Sequence, residues 1–83
     1  MKKFDVKAFP NPSQSEFTLK IESDNQKDAI SLRVMDMLGR TVQTFTNLTA
    51  GQTLQIGGNY KIGIYFVDVM QGDQHKQIKL IKQ

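Results

Sequence analysis

Apolar residues recur at every second position in short runs, and Gly, Pro, Asn or Asp separates one run from the next. Phe17, Leu19 and Ile21 alternate with polar residues, and the run beginning at Ile30 repeats the pattern. Because successive side chains of a strand point to opposite faces, this period of two predicts half-buried strands. No segment shows the three-and-four spacing of an amphipathic helix. We therefore predict an all-β chain.

The alternating runs and the turns between them predict the order of the strands. The predicted strands cover residues 16–22, 30–35, 41–46, 53–56, 62–70 and 75–82. Gly39 is expected to adopt positive φ in a hairpin connection, and residues 71–74 are expected to form the last hairpin turn. About six or seven strands at this spacing predict a small antiparallel sandwich.

The length of 83 residues, 39% of them hydrophobic, predicts one domain with a thin core. We place this domain at residues 9–83, beginning at the Pro-rich segment Phe9-Pro10-Asn11-Pro12. Residues 1–8 are interpreted as a linker or a lead-in. No apolar run has the length of a membrane span, and charged residues interrupt any signal-peptide pattern after Met1.

The net charge of +3 is concentrated at the two ends of the chain. Residues 8–73 contain five basic and seven acidic side chains, whereas residues 74–83 contain three lysines and no acid. In a strand, Lys76 and Lys82 would share one face and Lys79 the other, so they form no continuous basic stripe. This arrangement argues against nucleic-acid binding, and edge protection is the commoner use of such lysines.

The residue types do not favour catalysis or metal binding. The chain has no cysteine and one histidine, His75, beside a predicted turn. The acids are spread one to a turn or strand, without paired-carboxylate or calcium-loop spacing. We therefore predict no enzyme activity, no catalytic residue, no cofactor and no metal site.

The predicted strand 62–70 carries apolar residues on both faces. Tyr65, Val67 and Val69 fall on one face, and Ile64 and Phe66 share the other with Asp68. Asp68 indicates that its face is the outer one. Ile64 and Phe66 then either form an apolar docking patch or lie beneath a cap provided by Leu38, Leu48 or Tyr60.

Four segments in order resemble the C-terminal sorting domain of type IX secretion cargo proteins. They are Phe9-Pro10-Asn11-Pro12, residues 34–42 with Leu38-Gly39-Arg40, the strand Gly63-Ile64-Tyr65-Phe66-Val67, and the closing Lys76-Gln77-Ile78-Lys79. None of the four is specific alone, but together they extend from Phe9 to the end of the chain. Ile62 departs from the family pattern, which commonly has Pro or Asn ahead of the glycine.

The resemblance implies an immunoglobulin-like sandwich that forms the C-terminal part of a larger cargo protein in a Gram-negative bacterium. Such a domain directs its cargo from the periplasm through the outer-membrane translocon to the cell surface or beyond. A sortase-like surface peptidase often removes it, in or upstream of residues 1–8. The resemblance implies Gly63, Tyr65, Gly72, Lys76 and Lys79 as partner-recognition residues. The apolar face of strand 62–70 and the lysines of the last strand add Phe66 and Lys82 to this set.

An exposed terminal strand suggests how a receptor could read such a domain. We expect strand addition at the free edge, lysines facing an acidic receptor, and recognition of the C-terminal carboxylate. Two other functions remain open at this point. One is a carbohydrate- or protein-binding immunoglobulin-like module that uses Tyr60, Tyr65 and Phe66, and the other is a structural cap on the parent protein.

Overall fold

The computed structural model describes residues 3–83, which form seven β-strands and no helix. The strands are β1 (Phe4–Phe9), β2 (Phe17–Ser23), β3 (Ile30–Asp36), β4 (Thr41–Leu48), β5 (Thr53–Ile56), β6 (Gly63–Gln71) and β7 (Gln74–Lys82). Six of them match the alternating runs of the sequence to within about two residues at either end.

Two antiparallel sheets pack against each other. One has the order β1-β2-β5 and the other the order β4-β3-β6-β7. The chain stays within one sheet from β1 to β2, from β3 to β4 and from β6 to β7, and it crosses to the other sheet after β2, β4 and β5. Such crossings between two sheets are typical of immunoglobulin-like sandwiches. The predicted all-β sandwich of about seven strands is confirmed.

The core is built from the alternating apolar positions of β2, β3 and β6. The first three alternating side chains from Phe17 in β2 and from Ile30 in β3 are fully buried, and on β6 Val67 and Val69 are fully buried. Removing such a side chain from water contributes about 1.5–3 kcal/mol. The other buried apolar residues are Val6, Leu48, Ile56, Tyr65 and Leu80.

Strand β1 lies where the sequence indicated a lead-in. Phe4–Phe9 pairs with β2 along its whole length, from Phe4 opposite Ser23 to Phe9 opposite Thr18. Val6 is buried, because the alternation of Phe4, Val6 and Ala8 with Asp5 and Lys7 places it on the inner face. The sandwich thus begins five residues before the predicted boundary at Phe9. Met1 and Lys2, the first residues of the expected lead-in, lie outside the described residues.

Glycines make the two hairpin connections in the four-stranded sheet possible. Gly39 has φ 81°, as expected from its position between β3 and β4. Gln71 pairs with Gln74, so Gly72 and Asp73 alone form the last turn. Gly72 has φ 57° at the first central position, where a type II′ turn requires positive φ.

The sandwich has two unlike ends. We call one end the apolar pole, defined by the loops 10–16, 37–40 and 57–62 together with Gln83. Among the described residues, six large hydrophobic side chains are exposed, and five of them lie at or next to this pole. These five are Phe9, Met37, Leu38, Val42 and Ile62. The opposite end carries Lys3 and the polar turn 24–28.

A candidate recognition surface on the four-stranded sheet

The residues that the sequence singled out on β6 do not share one environment. Gly63 begins the strand, and Tyr65 points into the core, where its hydroxyl donates a hydrogen bond to the Lys61 carbonyl at 2.7 Å. Phe66 lies on the outer face and is half-buried. Tyr65 is therefore placed to stabilise the loop before β6, whereas Phe66 stays partly accessible on the outer face.

The three lysines of β7 also have three different environments. The Lys76 ammonium lies 3.7 Å from the Asp5 carboxylate of β1. The Lys82 side chain is only 5% exposed, and its ammonium donates to the Ser15 and Gly57 carbonyls. Within residues 3–83, no carboxylate lies within salt-bridge distance of Lys79, which is exposed on the outer face. Of the three, only Lys79 is a free surface cation, and the expectation of an open Lys82 is wrong.

The Pro-rich loop covers the end of the β7 edge. The Asn11 side chain donates to the Lys79 carbonyl at 2.8 Å and accepts from the Ile81 amide at 3.0 Å. The Ser13 amide donates to the Ile81 carbonyl, and the Gln83 amide donates to the Ser13 carbonyl. These bonds occupy the outward backbone groups at the end of β7. Strand addition at the terminus, expected from the sequence, would require this loop to detach from the edge of β7 and break these hydrogen bonds.

The cross-strand register divides the outer face of this sheet into two halves. Toward the apolar pole, Phe66 lies between Met35 and Lys79, and Ile64 lies beside Ile81. Away from that pole, Asp68 lies between Arg33 and Gln77. One half is thus apolar with a single cation, and the other is a polar network.

An open groove of about 240 Å³ lies in the apolar half. Its lining residues are Met35, Asp36, Met37, Gly39, Phe66 and Gln77. The hairpin between β3 and β4 forms one wall, so the groove exists because the chain turns sharply at Gly39. Neither Leu48, which is in the core, nor Tyr60, which stacks on Tyr65 at 4.9 Å, covers Phe66. Leu38 is 78% exposed, so it does not form a buried cap over Phe66 either, and the docking patch stays a prediction.

The carboxylate in the groove is neutralised from within the hairpin. Asp36 accepts hydrogen bonds from the Leu38 and Arg40 amides at 2.9 and 3.0 Å and from the Arg40 Nε at 2.8 Å. Desolvation by itself raises the pKa of Asp36, but these donors outweigh it and hold the pKa below its ordinary value of 3.8. Asp36 therefore fixes the hairpin and presents no free charge to a partner.

His75 belongs to the polar half of the outer face. Its Nε2 lies 3.5 Å from Asp68, which also accepts a hydrogen bond from Gln77 at 2.7 Å and faces Arg33 at 3.5 Å. These groups surround the Asp68 carboxylate with a hydrogen bond and charged neighbours. They do not combine a nucleophile with a general base. In the part of the chain that the structure describes, no group of three or more His, Cys, Asp or Glu residues could hold a metal ion. In that part, no helix has the length and apolar character needed to cross a membrane.

The aromatic side chains do not form the platform that a carbohydrate-binding module would need. Tyr65 is in the core, Tyr60 stacks on it and donates to Gln43 at 2.7 Å, and Phe66 faces the opposite side of the sheet. Strand alternation separates neighbouring residues in this way. The proposed use of all three in one glycan site is therefore wrong.

Sequence reasoning missed the methionines of the groove and the polar side chains that close the terminus. Met35 and Met37 read as ordinary strand and turn residues, and their proximity to Phe66 depends on the pairing of β3 with β6. Asn11 between two prolines was an available indication of a side chain that bonds backbone groups. Its partners, 68 and 70 residues away, could not be inferred from local sequence.

Comparison with known proteins identifies the family. The family described as the secretion system C-terminal sorting domain matches residues 7–83. An endo-acting ulvan lyase of Formosa agariphila is 31% identical over 77 residues, which cover 90% of this chain and 14% of that enzyme. The chain thus corresponds to a small part of that relative. The resemblance inferred from the four sequence segments is confirmed, and the chain belongs to the family of C-terminal sorting domains, the signals of type IX secretion.

Proposed function

We propose that this chain directs a covalently attached cargo protein from the periplasm through the outer-membrane type IX translocon to the cell surface or the medium. Membership of the sorting-domain family is the observation that carries the proposal. The role is recognition, with no catalytic step of its own. The cargo's identity and activity are separate from this role, because the match covers only 14% of the relative's length.

The translocon would read the apolar half of the outer face. Phe66 and Lys79 lie side by side there and are accessible. Gly63, Tyr65 and Gly72 would act by shaping the β6–β7 hairpin that presents them. Lys76 and Lys82 would act by holding β7 to β1 and to the loops, since their ammonium groups already have partners.

A sortase-like surface peptidase would cut ahead of strand β1. Phe4–Phe9 is paired with β2, and a peptidase needs an extended segment that is free to enter its active site. Cleavage upstream of Phe4 would leave the sandwich whole, whereas cleavage within the strand would require β1 to detach.

A reporter fusion tests this function. A periplasmic signal peptide, a stable reporter and residues 1–83 are joined in that order and expressed in a bacterium that has type IX secretion. We expect the reporter at the surface or in the medium, and in the periplasm of a strain lacking the translocon. Retention of the wild-type fusion in the periplasm would contradict the proposal. A structural cap would change the thermal stability of the reporter without changing its location.

Substitution of Lys79 is a sharper probe than removal of the end of the chain. Deleting Lys79–Gln83 is expected to trap the fusion in the periplasm, but it also removes the bonds to Asn11, Ser13, Ser15 and Gly57. Misfolding alone would then explain retention. Lys79→Glu changes an exposed side chain only, so retention of that variant reports on recognition.

A further inference from the structure

We propose that the groove between the β3–β4 hairpin and Phe66 binds a protein segment in which a large apolar side chain is flanked by a carboxylate. This inference rests on the proposed sorting function and gives the chemistry of the partner. The apolar side chain would enter the groove, and the carboxylate would pair with Lys79.

The lining of the groove suits an apolar side chain. Met35, Met37 and Phe66 provide most of its wall, and Met37 is 61% exposed. Methionine side chains adapt to different apolar groups, because they are unbranched and polarisable. At about 240 Å³ the groove is smaller than the pockets of drug-sized ligands, and it matches one or two side chains.

The charges beside the groove specify the second feature of the partner. Asp36 lies in the groove wall, but Arg40 and two backbone amides neutralise it. Lys79 lies directly opposite Phe66 in the β6–β7 register, and its ammonium has no carboxylate partner in residues 3–83. The groove therefore has one uncompensated positive charge at its side, which complements a carboxylate.

The same charges favour a protein segment over a lipid surface. Each Lys or Arg near an anionic membrane contributes only a small part of the binding free energy, so stable docking on a lipid surface requires several cations. Arg40 is paired with Asp36, so among the described residues beside the groove Lys79, opposite Phe66, is the cation without a carboxylate partner. A concave groove also receives a protruding side chain better than it meets a flat bilayer.

Binding of selected peptides to the full 83-residue chain tests the proposal. A random-peptide phage library is selected on the immobilised chain, and the enriched peptides are measured by fluorescence anisotropy. We expect enrichment of peptides with a large apolar residue next to Asp or Glu. Met37→Asp and Lys79→Glu should each weaken their binding about tenfold or more.

Two matched variants control for general effects. Met70→Asp places the same charge on another exposed methionine of the same sheet, outside the groove, and Lys20→Glu reverses an exposed lysine on the other sheet. Both should bind the peptides as the wild type does. Thermal unfolding of all four variants confirms that each is folded.

Three results would overturn the inference. The enriched peptides could lack the apolar–acidic pattern, or their affinity could be unchanged by Met37→Asp and Lys79→Glu. The groove could instead bind vesicles of phosphatidylglycerol and phosphatidylcholine, or a second copy of the chain. Met37-dependent sedimentation with such vesicles or Met37-dependent dimerisation, without peptide binding, would show this.

The reporter fusion separates this inference from the sorting function. If the wild-type fusion is exported and the Met37→Asp and Lys79→Glu fusions are exported equally well, the groove inference fails and the sorting function stands. If the wild-type fusion is retained, the sorting function fails, whatever the peptides show.

Discussion

At the scale of single residues, identical side chains have different roles because the fold gives them different neighbours. Lys76, Lys79 and Lys82 lie within seven positions of one another, yet one is paired, one is free and one is buried. The role of Gln71, at the end of the sandwich opposite the apolar pole, is also set by its neighbours in the fold. Its side chain is 1% exposed and bonds to Ser23 and to the backbone carbonyls of the turn 24–28.

Replacing Lys82 should affect folding more than replacing Lys79. Lys82→Met keeps the apolar stem but leaves the Ser15 and Gly57 carbonyls without their donor, and we expect a loss of about 1–3 kcal/mol in the free energy of unfolding. Lys79→Met should stay within about 0.5 kcal/mol of the wild type, because Lys79 is exposed. Urea denaturation measures both, and equal effects of the two substitutions would contradict the assignment.

Tyr60 should titrate at unusually high pH. Burial, and secondarily the nearby Tyr65, raises the pKa of Tyr60 from 10.0 to about 12. Because the folded-state pKa is the higher one, this contribution to stability is complete below pH 10 and is lost as the pH rises through 12.

The Tyr65→Phe variant isolates this titration, since the chain has only two tyrosines. Tyrosinate absorbance should rise at a midpoint clearly above 10.0, because burial of Tyr60 is retained. The same variant unfolded in urea provides the reference. A folded-state midpoint equal to that of the unfolded chain would disprove the effect of burial.

At the scale of secondary-structure elements, the edge strands are protected in different ways. The end of β7 is covered by Asn11 and Ser13, and the register of β4 against β3 shifts twice, which interrupts a regular edge. Among the described residues no strand pairs with the outer side of His75–Gln77, so the exposed part of the β7 edge lies away from the terminus. The position of β7 in the sequence alone had suggested that the exposed edge lies at the terminus.

Strand β1 should be necessary for a stable sandwich. Deleting residues 1–8 removes buried Val6 and uncovers the edge of β2, and we expect a loss of roughly 3–5 kcal/mol. That is a large share of the 5–15 kcal/mol typical of a domain, so cooperative unfolding should weaken or disappear. Calorimetry measures the transition. Lys7→Thr removes only an exposed side chain of β1 and its ion pair with Glu22, and such an exposed pair contributes little, so the transition should be preserved. An intact transition after the deletion would restore the lead-in interpretation.

At the scale of the whole molecule, the sandwich is polarised along its length. Exposed apolar side chains and the groove lie toward the apolar pole, and Lys3 lies at the opposite end, where Asp24 accepts a hydrogen bond from its amide. A protein that preceded β1 would thus approach from the end away from the groove. This separation would let a partner bind the domain while the cargo is attached.

The free energy of unfolding should fall in acid, because a carboxylate in each of the two sheets becomes protonated. Hydrogen bonding and charge from Lys3 hold the pKa of Glu22 below its ordinary 4.5, and Arg40 and Leu38 hold that of Asp36 below 3.8. Both contributions are present above these ordinary values and are lost as the pH falls through the lower folded-state values. The melting temperature should therefore drop below about pH 4.5.

The Asp36→Asn variant tests the contribution of the hairpin. It should be less stable than the wild type at pH 7, and the difference should shrink in acid, where Asp36 becomes protonated. Lys27→Gln changes an exposed loop charge and serves as the control. A difference that stayed constant from pH 7 to acid would exclude ionised Asp36 as the source.

Most of the strand order was predictable because alternation is a local property. Strands β2, β3, β5, β6 and β7 each have their own alternating apolar run, whereas the turns at 37–40 and 47–51 indicated β4. Gly39 and Gly72 mark the two hairpin turns. Strand β1 was missed although Phe4, Val6 and Ala8 alternate with the charged residues Asp5 and Lys7, because residues 1–8 were interpreted as a lead-in. Within the candidate surface, Phe66 was predictable from the face it shares with Asp68.

The sequence by itself determined the fold class, the faces of β6 and β7, and the family, since each depends on residues that are near one another along the chain or in a fixed order. Only the tertiary structure decided which of these residues a partner can reach. The Lys82 ammonium is buried where it donates hydrogen bonds to the carbonyls of residues 15 and 57. The groove brings together residues of β3 and β6 that are about 30 positions apart in the sequence. Such contacts depend on strand pairing and sheet packing, which the local pattern makes possible but does not specify.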